Sequence, residues 1–392
     1  MLETMESASK KIVISGYYGF RNSGDEAVLQ SILIALEQQA QTAGIRIEPI
    51  VLSIDPEWTS ATYGVQAVHR MKPAELRRAI AGSDGLISGG GSLLQDVTGT
   101  KSIPYYIGVI KLAQWLRKPV FIYAQGIGPV NRKLFYPLIK SAFRKSRYIS
   151  VRDEQSRSLL GTMGLNLSSV QVVPDPVMGL RLPGQASAGD QVPAGGDGKG
   201  ARTSSAEPLS TVGISVRFWE TDRKELQTLS EAFVLANRKQ PLHLRFLPFH
   251  LPSDVEASRY MMERIETKIR QDGGRISLCE QADHPLEMLK EVASCDALIG
   301  MRLHSLIYAA GQRVPLLGVS YDPKIDQFLK RIDCSPVGST NSLSSESTAD
   351  AILHLIENGD SWKATREPLI AGLVEAAETP ARTIVEYLRH KG

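Results

Sequence analysis

Short apolar runs and amphipathic stretches alternate along most of this chain. Residues 11–16 (KIVISG) form a continuous, β-branched-rich run, the pattern of a strand buried on both faces. Ala27, Val28, Ile32 and Leu36 then recur at helical spacing. Strand-like runs follow at 50–54, 85–88, 120–124 and 148–151, and again at 212–216, 242–247, 276–278, 297–299 and 315–319. Helical patterns fall between them, among them 223–239, 255–269, 286–293 and 305–311. Parallel strands need a crossover to return to the same edge, so repeated strand–helix–strand order predicts parallel sheets covered by helices.

The pattern breaks once. Residues 182–210 (LPGQASAGDQVPAGGDGKGARTSSAEPLS) are dense in Gly, Ala, Ser and Pro and lack both aromatics and apolar periodicity. Such a stretch buries too little surface to offset its ordering entropy, which predicts a flexible linker. The expected organisation is a flexible tail at 1–10, a first Rossmann-like domain at 11–181 and the linker at 182–210. A second Rossmann-like domain follows at 211–375, with a C-terminal helix at 376–392 packing back on the first. Two such α/β domains joined by one linker place parallel sheets to face a cleft between their C-terminal edges, where open α/β sheets bind ligands. This arrangement resembles the GT-B glycosyltransferases.

Composition narrows the partners. The 392 residues, 42% hydrophobic and 22% charged, supply two substantial cores. A net charge of +3 is too small a bias for a nucleic-acid binder. The odd number of cysteines, Cys279, Cys295 and Cys334, shows no C-x-x-C spacing and reads as buried thiols in a reducing compartment. No apolar run is long enough to span a bilayer, and the polar start lacks the order of a signal peptide, so a cytoplasmic location is expected.

The candidate chemistry sits where strands end. Gly16-Tyr17-Tyr18-Gly19-Phe20-Arg21-Asn22-Ser23-Gly24-Asp25-Glu26 joins the first strand to the first helix. It lacks G-x-G-x-x-G, and acidic residues at a helix start repel phosphate, so this loop suits sugar hydroxyls better than a dinucleotide. A capped helix after a glycine turn explains Gly24 and Asp25 but not the whole run. Ser88-Gly89-Gly90-Gly91-Ser92 and Gln125-Gly126-Ile127-Gly128-Pro129 close two further strands. The first of these glycine loops suits either a tight turn or an N–H nest for an anion. Arg152, after 148–151, either reaches a ligand or pairs with Asp153 or Glu154.

In the second half, Gly300-Met301-Arg302-Leu303-His304-Ser305 runs from strand into helix. Arg302 and His304 therefore stand at a helix N-terminus on the ligand side of a parallel sheet, where free N–H groups and the dipole favour an anion. Arg offers a bidentate fork for carboxylate or phosphate, and His a proton donor near neutral pH. Arg217 and Lys324 are further cations just past strands, while His250 reads as a loop residue. No metal-binding, Walker or nucleophile-elbow motif is present, so no metal or cofactor is expected.

Taken together, GYYGFRNSGDEAVLQ, SGGGSLLQD, YAQGIGP, SVRDEQS and GMRLHSL resemble the polysaccharide pyruvyl transferase family, nearest to its CsaB-type branch, which modifies secondary cell-wall polymers. The resemblance spans residues 11 to about 328 except the linker, which is longer and richer in Gly than the family requires. It implies a GT-B-like fold and ketal formation with phosphoenolpyruvate as donor substrate. For the CsaB-type branch the acceptor is the N-acetylmannosamine of a ManNAc–GlcNAc disaccharide on undecaprenyl diphosphate. The product is a 4,6-pyruvyl ketal used in S-layer anchoring. On that reading Arg217, Arg302, His304, Lys324 and Arg152 bind phosphoenolpyruvate, with His304, Arg302 and Asp25 in the catalytic step. Gly16, Tyr17, Asn22, Asp25, Glu26, Gly90, Gly91 and Gln125 bind the acceptor. A lipid-linked acceptor leaves room for peripheral contact with the inner membrane face, although no amphipathic anchor stands out. The competing readings are a GT-B glycosyltransferase using a nucleotide sugar, which a ribose-binding carboxylate such as Asp322 favours, and a non-catalytic sugar-binding protein of the same fold.

Overall fold

The computed structural model describes residues 9–96, 99, 101–182, 209–280 and 284–391. Residues 1–8 of the expected tail and 183–208 of the expected linker lie outside the described residues. The chain divides into two compact units, Met1–Leu180 with Leu373–Gly392, and Arg181–Gly372.

The first unit holds seven parallel strands: β1 (Ser9–Tyr18), β2 (Arg46–Ser53), β3 (Gln66–His69), β4 (Gly85–Gly89), β5 (Val120–Gln125), β6 (Tyr148–Val151) and β7 (Gln171–Val172). Their order is β3-β2-β1-β4-β5-β6-β7. The central strands are apolar because helices cover both faces: Ile12, Val13 and Ile14 are fully buried, and every residue of β5 is buried. The second unit repeats the plan with β8 (Ser210–Ser215), β9 (Leu242–Phe246), β10 (Arg275–Leu278), β11 (Ala297–Gly300), β12 (Leu316–Ser320) and β13 (Gly338–Ser339), in the order β10-β9-β8-β11-β12-β13. Each sheet reverses its winding once, between β1 and β4 and between β8 and β11. The connections after those strands leave to opposite faces and open a crevice at the C-terminal sheet edge.

The last helix, Gly359–His390, starts well before the C-terminal helix expected at 376–392. Its end belongs with the first unit, where Tyr387 packs edge-on against Phe121 at 5.3 Å. Among the described residues no helix is long and apolar enough to cross a membrane.

Candidate active site

In the first unit, the turn after β1 is fixed by Tyr18, whose ring folds over Gly16 and whose hydroxyl donates to the Gly89 carbonyl at 2.8 Å. Arg70 braces the same turn from below, donating Nη1–H to the Gly16 carbonyl at 2.9 Å. Tyr17 and Phe20 project outward and stack on each other, ring centroids 3.9 Å apart and nearly parallel, leaving an exposed aromatic plate. Asn22 caps the helix Ser23–Ala43, its Oδ1 accepting from the amides of Gly24 and Asp25.

Asp25 is the chemically distinctive group. No hydrogen bond to its carboxylate forms among the described residues, and part of it stays accessible to solvent. Burial raises its pKa to about 7 against the lowering effect of Arg152, with Glu26 and Asp175 adding repulsion. Two glycines make room around it. A Cβ on Gly91, which lies at φ +71°, would fall 2.6 Å from Asp25 Oδ1. A Cβ on Gly126 would fall 2.8 Å from Arg152 Nε. Arg152 itself donates to Ser92 Oγ at 2.6 Å and pairs with the buried Asp175 at 3.3 Å. It also keeps the Asp153 pairing weighed from sequence, Nε to Oδ2 at 3.7 Å, so its contacts combine that neighbour with this cluster.

Two expectations for this unit need correction. Glu26 is buried, and both its oxygens are committed within the fold, to the Gly19 amide at 2.9 Å and the Tyr63 hydroxyl at 2.8 Å. It braces the loop instead of facing an acceptor, because an unpaired carboxylate there would be costly. The Gly89–Gly91 turn is laced to β5, Gly90 N–H donating to the Tyr123 carbonyl and Gly126 N–H to the Gly91 carbonyl, both at 2.9 Å. It is a close-approach turn more than an open anion nest. Gln125, at the end of β5, is fully buried with neither side-chain polar atom hydrogen-bonded among the described residues.

In the second unit the strand ends carry cations. Arg217, past β8, donates to the Tyr321 hydroxyl at 3.1 Å and lies 5.1 Å from the ring centres of both Trp219 and Tyr321. Arg302 stands as N-cap of the helix Leu303–Gly311, which has no side-chain cap, so the first-turn amides and dipole remain directed at the sheet edge. His304 occupies the first turn of that helix, partly buried, its Nε2 inaccessible to solvent. Lys324 lies in the first turn of Pro323–Arg331, whose N-cap Asp322 accepts the Lys324 amide at 2.9 Å.

The fork expected to meet a ligand is already paired. Arg302 donates through Nε at 3.0 Å and through Nη2 to the two oxygens of Asp254. Asp254 is fully buried and would be strongly destabilising without that partner. It also accepts the His250 amide at 2.9 Å, which ties the turn after β9 to the helix after β11. His250 is consequently more than a loop residue. Burial lowers its pKa, Arg302 and Arg217 lower it further, and Asp254 opposes them, so a neutral imidazole sits beside two guanidinium groups. Sequence reasoning missed Asp175, Asp254, Tyr321 and this role of His250. A short polar residue beside Pro252 at the start of the helix Ser253–Gln271 was the one available signal for Asp254.

Comparison with known proteins bears on the fold and on the family. No curated protein matches the chain. Solved structures share its fold at low identity. They include the UDP-GlcNAc 2-epimerase from Methanocaldococcus jannaschii, 11% identical with a TM-score of 0.62, over 96% of this chain and 99% of that one. A glycosyltransferase from Rickettsia africae is 10% identical with a TM-score of 0.60, covering 98% of each chain. UDP-GlcNAc 2-epimerase from Neisseria meningitidis bound to UDP-GlcNAc is 12% identical with a TM-score of 0.55, over 97% of this chain and 100% of that one. The fold is thus GT-B-like, two α/β units each built on a parallel sheet. The family model for polysaccharide pyruvyl transferase matches residues 22–323, spanning the Asp25, Gly91, Arg152, Arg217 and Arg302 turns, and the chain belongs to that family.

Proposed function

We propose that the protein transfers pyruvate from phosphoenolpyruvate to the N-acetylmannosamine of a lipid-linked ManNAc–GlcNAc disaccharide. The product is a 4,6-ketal of the kind CsaB-type enzymes place on secondary cell-wall polymers for S-layer anchoring. The observation carrying this reading is the electrostatic contrast between the two strand-end clusters. The first presents an accessible carboxyl with a pKa of about 7 at an acidic helix start, which suits a neutral polyol. The second carries Arg217, Arg302 and Lys324 just past strands of one sheet, with the helix Leu303–Gly311 lacking a side-chain cap, which suits a carboxylate or phosphate.

On this reading the aromatic plate of Tyr17 and Phe20 supports a sugar ring, and Asp25 takes the proton of the attacking hydroxyl. His304 protonates the methylene carbon of phosphoenolpyruvate, generating an oxocarbenium-like centre that the hydroxyl attacks. The second hydroxyl then displaces inorganic phosphate, its proton leaving with the phosphate, and the ketal closes. Arg217 and the Nη1 edge of Arg302 hold the donor, and Asp254 positions Arg302. Reaction on a lipid-linked acceptor is placed at the cytoplasmic face of the membrane, with no cofactor. The nucleotide-sugar alternative loses its named carboxylate, because Asp322 caps a helix.

The test is phosphate release from phosphoenolpyruvate with and without a lipid-analogue-linked ManNAc–GlcNAc, followed by product mass. Acceptor-dependent release with a pyruvyl mass gain is expected, and His304→Ala should lower it by roughly 10²–10⁴-fold. Release that ignores the acceptor, or turnover with a UDP-sugar instead, would overturn the reading.

A further inference from the structure

Between Asp96 and Asp153 the chain carries eleven Lys and Arg residues and no Asp or Glu. The whole chain is only +3, so the remainder is net acidic at −8 and the basicity is concentrated in this segment. The segment supplies two helices of the first unit, Ser102–Trp115 and Tyr136–Phe143, which cover one face of the sheet through β4–β5 and β5–β6 crossovers.

The two helices lie side by side. Lys111 Nζ donates to Ser141 Oγ at 2.7 Å, and Gln114 Nε2 to the Ala142 carbonyl at 2.7 Å. Their inner sides bury Ile103, Ile107, Ile110, Ile139 and Phe143 in the core. Their outer sides are not uniformly polar. Trp115 is 71% exposed, Leu134 65% and Leu138 46%, three of the largest exposed apolar side chains in the unit. Leu138 and Ser141 share one side of Tyr136–Phe143, and Leu134 stands in the 3₁₀ turn Lys133–Phe135 that leads into it. Exposed Arg132 and Lys133 precede that helix, and exposed Arg144 and Lys145 follow it. Lys111 feels the same crowding: burial lowers its pKa first, with Lys145 and Arg144 adding repulsion.

Apolar side chains bracketed by cations match one kind of surface; Asp96, which accepts the Asn131 and Arg132 amides at 2.8 Å, offsets Arg132 and leaves Lys133, Arg144 and Lys145 as the cations the argument rests on. We propose that this outer face of Ser102–Trp115 and Tyr136–Phe143 docks on an anionic lipid bilayer, Trp115, Leu134 and Leu138 entering the headgroup boundary while the surrounding Lys and Arg meet lipid phosphates. An amphipathic indole suits that boundary, and each basic side chain near an anionic surface strengthens binding by about fivefold. A purely electrostatic partner such as a nucleic acid would leave the exposed Leu and Trp unexplained. The inference holds whatever donor the protein uses, and failure of the phosphate-release assay would leave it standing.

The test is co-sedimentation of the full chain with phosphatidylcholine vesicles and with vesicles containing roughly a third phosphatidylglycerol. Binding at least about tenfold tighter to the anionic vesicles is expected, weakening as salt rises. Lys133→Gln/Arg144→Gln/Lys145→Gln should lower it by roughly a hundredfold, from three charges at about fivefold each. Trp115→Ser/Leu134→Ser/Leu138→Ser should lower it by at least about tenfold with the unfolding temperature unchanged, since all three side chains are exposed. Brominated lipid should quench the wild-type tryptophan emission more than that of Trp115→Phe. Equal partitioning onto neutral and anionic vesicles, or full binding by the apolar variant, would overturn the proposal. So would binding to heparin or RNA with no binding to vesicles, which would assign the face to a soluble polyanion.

Discussion

Asp25 offers a test of the site that needs no substrate. Its carboxyl rises from 3.8 to about 7 on folding, chiefly because the fold removes water from it. A group whose pKa rises on folding takes up protons on folding, so its contribution to stability falls as pH climbs from about 4 through 7. Three units at about 1.36 kcal/mol each set a ceiling of about 4 kcal/mol, of which about 2–3 kcal/mol falls between pH 5 and pH 8. Because the carboxyl keeps some solvent, about 1–2 kcal/mol is the expected net change. Asp25→Asn preserves shape and does not titrate. The difference in unfolding temperature, variant minus wild type, should therefore be more positive at pH 8 than at pH 5. For a unit of this size the change should be about 3–6 °C. Comparing the two pH values cancels whatever the amide does to packing. A difference that is the same at both pH values would refute the assignment, as would one that moves the other way.

Three further outcomes follow from the geometry. Asp254→Ala strands Arg302 and removes the acceptor of the His250 amide, so urea unfolding should show a loss of about 3–5 kcal/mol; Asp254→Leu/Arg302→Met should recover much of it while still abolishing turnover. Gln125→Leu removes two buried polar atoms without hydrogen-bond partners among the described residues and should leave stability unchanged or raise it by about 1 kcal/mol, whereas a loss above about 2 kcal/mol would mean the amide is satisfied in solution. Gly91→Ala combines a positive φ with a Cβ 2.6 Å from Asp25, so it should cost about 1–2 kcal/mol and lower turnover, with a shifted pH–rate limb as the mark of a displaced Asp25.

The central strands were legible in the sequence because burial on both faces leaves no room for polar alternation. The runs at 120–124 and 148–151 coincide closely with β5 and β6. The strands not foreseen are β3, β7 and β13, which lie at sheet edges, are two to four residues long and bury no residue fully. The helices Pro56–Tyr63 and Pro73–Ala81 also went unread, although each starts with a proline whose fixed φ suits a first turn. The glycine turns, Asp25, Arg302 and His304 were visible for a topological reason: in a parallel sheet every strand's C-terminal end faces the ligand side.

What the sequence could not show is which charges cancel. Arg302 meets Asp254 across 48 positions and Arg152 meets Asp175 across 23, and nothing local to either arginine announces its partner. The pairing changes the chemical reading. Arg302 enters the second cluster nearly neutralised, with only its Nη1 edge uncommitted among the described residues. Arg217 is held instead by a carbonyl, a phenol and two aromatic rings, all uncharged, so it keeps its full charge for an anion. It follows that Arg217→Met should weaken donor binding more than Arg302→Lys, which keeps the charge but loses the fork on Asp254. Arg302→Lys should act mainly on stability and on kcat, through the displaced turn that carries His304. A donor KM rising at least about tenfold for Arg217→Met and less than about threefold for Arg302→Lys would bear that out, since one lost charge-assisted contact amounts to about 1.5–3 kcal/mol. The reverse order would mean that the Arg302–Asp254 pair opens to receive the donor.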